Sequence, residues 1–123
     1  METTASFCKE VRDKMRWYCN LYLGSNAAQN IRKIREKAAS GKIMAGVYYI
    51  TPSSVQGNLL DIFHNGMLKQ SIFAANQCTD IVGVAEGKQE AVRLVQTIIQ
   101  EIYGQTGGFD IPGYFKDEYF VEE

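Results

Sequence analysis

Residues 81–104 read IVGVAEGKQEAVRLVQTIIQEIYG: a short apolar run, a turn carrying Gly87, and a long amphipathic stretch. The run from Ile81 to Ala85 is apolar throughout, which suits a strand buried on both faces. From Gln89 to Tyr103, the residues Ala91, Val92, Val95, Ile98, Ile99 and Ile102 recur at three- and four-residue spacing. That period predicts a helix with a broad apolar face, able to cover a sheet and ended by Gly104.

Upstream, Ile43 to Ile50 is rich in branched and aromatic residues and predicts a strand that stops at Thr51-Pro52-Ser53-Ser54. Tyr48 and Tyr49 within it must face opposite sides of the sheet. Val55, Leu59, Ile62 and Phe63 predict a short helix ended by Asn65-Gly66, and Met67 to Phe73 a weaker strand. Downstream, Phe109 to Phe115 predicts a short edge strand broken at Pro112-Gly113, and the acidic end from Asp117 to Glu123 is expected to fray. Residues 43–116 thus predict an α+β core of the ferredoxin-like, split βαβ kind, with helices on one face. A small three-layer α/β arrangement is the alternative.

Ahead of the core, residues 1–42 predict a basic helical hairpin. Cys8, Val11, Met15, Tyr18, Cys19 and Tyr22 share one face of a first helix from Thr4 to Tyr22. Gly24 ends it, and Ala27, Ile31, Ile34 and Ala38 form the thin apolar stripe of a second helix from Ala27 to Ala39. On this reading Trp17 points away from Cys8, into solvent.

The chain has 123 residues, 46% hydrophobic and 22% charged, the composition of one globular domain. No apolar run approaches the roughly 20 residues that a membrane-spanning helix needs, and the charged first twenty residues do not resemble a signal peptide, so a cytoplasmic location is expected. Cys8, Cys19 and Cys78 lack CxxC spacing, and with one histidine in the chain neither a disulfide framework, a metal centre nor a cofactor is indicated.

The net charge of −1 conceals a division. Up to Lys42, nine basic residues face four acidic ones; beyond it four basic residues face ten carboxylates. The basic part, with Arg12, Arg16, Trp17, Arg32, Lys33 and Arg35, predicts a surface for a protein partner, for self-association, or for nucleic acid bound without sequence preference. A structural reading, two solvated faces of opposite sign, stands beside it.

Catalytic signatures are sparse. Asp61 and His64, three apart on the expected short helix, form a possible general-base pair without an identifiable nucleophile. Gly83, Gly87 and Lys88 lie where a strand meets a helix N-terminus, a place for a small anion or nucleotide phosphate, although the segment matches neither GxGxxG nor a P-loop and Glu86 opposes an anion. The sequence therefore points to a non-enzymatic interaction or regulatory domain, with nucleic-acid or anion binding as alternatives.

Overall fold

The computed structural model describes residues 15–122. Among the described residues, five strands form one sheet in the order β3-β2-β4-β1-β5: β1 (Arg16–Leu23), β2 (Val47–Pro52), β3 (Leu60–His64), β4 (Asp80–Glu86) and β5 (Phe120–Glu122). β1 runs parallel to β4, while the pairs β2/β3, β2/β4 and β1/β5 are antiparallel. The helices are α1 (Ser25–Ala39), α2 (Ser71–Asn76), α3 (Lys88–Thr106) and α4 (Ile111–Tyr114), with 3-10 turns at Asn65–Lys69 and Asp117–Tyr119.

The apolar run at 81–85 is the central strand that the sequence predicts, with β2 on one side and β1 on the other. α3 lays Ala91, Leu94, Ile98 and Ile102 onto Tyr18, Ile50, Val82 and Ala85 of the sheet. Each buried Leu or Ile there contributes about 1.5–3 kcal/mol relative to exposure. α3 runs past Gly104 and ends at Gly107, whose left-handed backbone (φ 77°) lets its N–H return to the Tyr103 carbonyl. The opposite face of the sheet, with Trp17, Val47, Tyr49, Ile81 and Val84, is covered by Ala27 and Ile34 of α1 and by Met67, Leu68 and Phe73. Tyr48 and Tyr49 face opposite sides, as alternation requires.

The chain is a mixed α+β fold, but helices lie against both faces rather than the one face expected of a ferredoxin-like sandwich. Several elements also change type. Residues 16–22 form a strand, not the end of a helix: alternation places Trp17 and Tyr18 in two different cores, a burial that no single helix face provides. Residues 4–14 of the expected first helix, with Cys8 and Arg12, lie outside the described residues, and Cys19 is exposed. Residues Leu60–His64 are a strand in register with β2, because Tyr49 and Ile50 pair with Phe63 and Ile62. The weak strand expected at Met67 to Phe73 is instead a 3-10 turn followed by α2. The edge strand expected at Phe109 to Phe115 contains α4, capped by Asp110, whose carboxylate accepts from Gly113 N at 3.1 Å. The acidic end does not fray throughout: Phe120–Glu122 pair with Arg16–Tyr18.

Among the described residues no helix is long and apolar enough to cross a membrane.

Candidate functional site

β1 departs from regular pairing at its middle. Trp17 pairs with Ile81 and Tyr22 with Gly83, five steps along β1 against two along β4. The surplus residues bulge, and bulges re-aim side chains next to binding sites. Here no ladder pairing joins Cys19, Asn20 or Leu21 to another strand among the described residues, and β5 stops at Tyr18. Beside this bulge opens a cleft of about 680 Å³.

Tyr18, Asn20 and Tyr22 of β1 form one wall of the cleft. The C-terminal half of α3 supplies Glu101, Gln105 and Thr106, and the chain after it supplies Asp110, Tyr114, Lys116 and Tyr119. Four of the seven tyrosines in the chain thus meet at one place. The Tyr18 and Tyr22 rings are parallel within 4° at 6.3 Å, and Tyr119 stands across Tyr18 at 6.4 Å and 72°.

A hydrogen-bond cluster sets the floor. Tyr22 donates to Glu101 Oε2 at 2.9 Å, the Tyr114 hydroxyl lies 3.1 Å from that of Tyr22, and both Tyr114 and the Gln105 amide reach the same carboxylate oxygen. Burial, then the bonds to Tyr114 and Glu101, push the Tyr22 phenol far above its ordinary pKa of 10.0; burial also raises that of Tyr18. Both phenols therefore remain protonated donors near neutral pH. The cleft thus presents ring faces, hydroxyls and carboxylates.

The residues predicted from sequence are scattered. Trp17 does not point into solvent: it is fully buried, edge-on to Tyr49, with the Arg35 guanidinium 4.7 Å from its ring centre. Arg16 is also enclosed, in a two-pronged pair with Asp80. Arg32 and Lys33 are exposed on α1. Arg12 lies outside the described residues.

Gly83 is buried within β4, its open side toward Ile50 and Leu94, while Gly87 donates to the Gly46 carbonyl and Lys88 is exposed at the start of α3. The negative charge at this corner comes from the chain itself. The buried Glu90 carboxylate accepts from Glu86 N in the turn and from Asn26 N and Ala27 N at the start of α1. Asp61 does not orient His64: it accepts from Ser54 and Gln77, whereas His64 Nδ1 accepts from Gly66 N and its ring stands edge-on to Tyr48. Being three apart on a strand, the two side chains face opposite sides. Among the described residues no group of three His, Cys, Asp or Glu could hold a metal.

No protein-family model, curated protein or solved structure matches this chain.

Sequence reasoning missed the cleft because its tyrosines are distant in the chain and the bulge that gathers them has no local motif. The available signal was the tyrosine count together with pairs at 18 and 22 and at 114 and 119.

Proposed function

We propose that the chain is a non-enzymatic interaction domain that takes an extended segment of a protein partner at the tyrosine-lined cleft. The observation that carries this reading is that the bulge of β1, which has no ladder pairing among the described residues, opens directly onto the cleft. Backbone groups of Cys19 to Leu21 offer hydrogen bonds to an added strand, and the tyrosines offer rigid, amphipathic contact area. Tyrosines that become enclosed on binding commonly dominate interface energy.

The test is peptide display on the immobilised chain, with the Tyr119→Ala variant as control. Tyr119 is partly exposed and outside both buried clusters, so its truncation leaves the fold in place. Enriched peptides are expected to bind Tyr119→Ala about tenfold more weakly, the loss typical of an interface anchor. Failure to enrich any peptide, or peptides indifferent to Tyr119→Ala, overturns the reading. Sedimentation of the free chain separates self-association from binding of a different partner.

A second reading, binding of nucleic acid, draws support from the outward face of α1. Arg32, Lys33 and Lys37 are exposed there, and Lys69 adds its charge beside Gly41 at the helix end. If this face binds phosphates, the affinity for single-stranded RNA measured by fluorescence anisotropy falls steeply with salt, and Arg32→Glu with Lys33→Glu abolishes it. A flat response at low salt removes the reading.

A further inference from the structure

We propose that the cleft selects a cation: the guanidinium or ammonium end of an arginine or lysine side chain projecting from the bound segment. This rests on the interaction reading above and specifies what that segment must carry.

Charge is the first support. Among the described residues, Glu101 and Asp110 line the cleft against Lys116, so carboxylates outnumber cations there. The second is the direction of the internal hydrogen bonds. Tyr22, Tyr114 and Gln105 all reach Glu101 through Oε2, and with no hydrogen bond to Oε1 among the described residues, that oxygen is the one to meet an incoming N–H. The third is the ring geometry. A cation within about 6 Å of a tyrosine face is drawn to it by the ring quadrupole. Tyr22, partly buried beside Glu101, stacks parallel to the buried Tyr18 ring, and Tyr119 stands across Tyr18 at the cleft wall. The molecule uses the same chemistry internally, with Arg35 over Trp17 at 4.7 Å and Arg16 over Phe120 at 5.0 Å. A neutral ligand such as a sugar satisfies the rings and amides but leaves the surplus carboxylate unanswered.

The experiment titrates the full chain with Nα-acetyl-arginine-N-methylamide and with its citrulline counterpart, which has nearly the same shape and no charge, following backbone resonances by NMR. The arginine compound is expected to move Asn20, Glu101 and Gln105 and to bind about fivefold more tightly than citrulline, the size of an exposed cation–ring contact. Glu101→Gln weakens it, and Lys116→Ala, which removes a repelling charge at an exposed position, strengthens it. Equal binding of the two compounds, binding of citrulline alone, shifts confined to residues outside the cleft, or no saturable shift overturns the proposal. Displayed peptides that depend on Tyr119 yet carry no basic residue sink the cation and keep the interaction domain; absence of any such peptide sinks both.

Discussion

A Gly24→Ala chain is expected to lose about 3 to 5 kcal/mol of stability, because a methyl group at this position lands inside the Glu90 side chain. Gly24 has an ordinary extended backbone (φ −66°, ψ 161°), so it is a matter of space, not of conformational freedom. α1 begins without a side-chain cap of its own. Glu90 reaches across from α3 and serves instead, its carboxylate accepting from Asn26 N, Ala27 N and Glu86 N at 2.9–3.2 Å. Displacing it strands three amides, and a buried amide without a partner costs about 1–3 kcal/mol, less where water reaches it. Glu90→Ala should cost nearly as much without any clash. Adding Gly24→Ala to Glu90→Ala should then cost little more, since the atoms that collide are gone, and urea unfolding of the four chains measures this coupling. Additive losses would mean that Gly24 is constrained by something other than Glu90.

The same carboxylate gives a pH dependence whose sign is fixed by the structure. Burial alone would raise the Glu90 pKa, but the three backbone N–H groups outweigh it and hold it below the ordinary 4.5. The unfolded chain then binds the proton first as pH drops. The stabilisation is complete above the ordinary value and is lost as pH falls through the lower folded one. Glu90→Gln removes this component, so the difference in stability between the two chains should shrink with acidification below 4.5.

Burial on both faces, or a long run of one period, is what made parts of this fold legible. The run at 81–85 and the stripe from Ala91 to Ile102 satisfy those conditions, and β4 and α3 lie where the pattern puts them. β1 failed because Tyr18 and Tyr22, four residues apart, share a face in a helix as well as in a strand, and only pairing with β4, more than sixty residues later, decides between them. β3 failed for a related reason. Leu59, Ile62 and Phe63 look helical, but Asp61 is drawn to Gln77 and Ser54, and the register with β2 wins. The tyrosine cleft was illegible because it is a product of topology: a bulge in the first strand meets the last turns of α3 and the chain after it. Glu90 was readable as an acidic residue in a first helical turn, but not as the cap of a different helix.

Asp80→Ala is expected to cost about 3–5 kcal/mol, since it removes the buried two-pronged partner of the Arg16 guanidinium and leaves it, among the described residues, only the exposed carboxylate of Asp117. Arg16 Nε and Nη2 donate to Asp80 Oδ1 and Oδ2, each at 2.8 Å, with both residues at 8% exposure. The Asp80 hydrogen bond, aided by its charge, raises the Arg16 pKa further above its already high ordinary value despite the opposing cost of burial, so the arginine stays charged at any pH where the protein folds. Replacing both partners with apolar residues of similar volume, Arg16→Met with Asp80→Leu, should recover most of the loss, because neither charge is then left buried. Asp117 also meets Arg16 at 2.8 Å, but its side chain is 75% exposed, and Asp117→Ala should change stability by less than about 1 kcal/mol. The pair also matters for the cleft. Arg16 lies over Phe120 and holds Asp117, and between these lies Tyr119, with Lys116 just before them. The apolar double replacement should therefore fold nearly as stably as the parent yet bind Tyr119-dependent peptides more weakly, because the strut that positions this wall is gone. Denaturant midpoints and peptide affinities measured on the same samples separate the two effects. Undiminished peptide binding by the double variant would show that the cleft wall is held by α4 and the sheet alone.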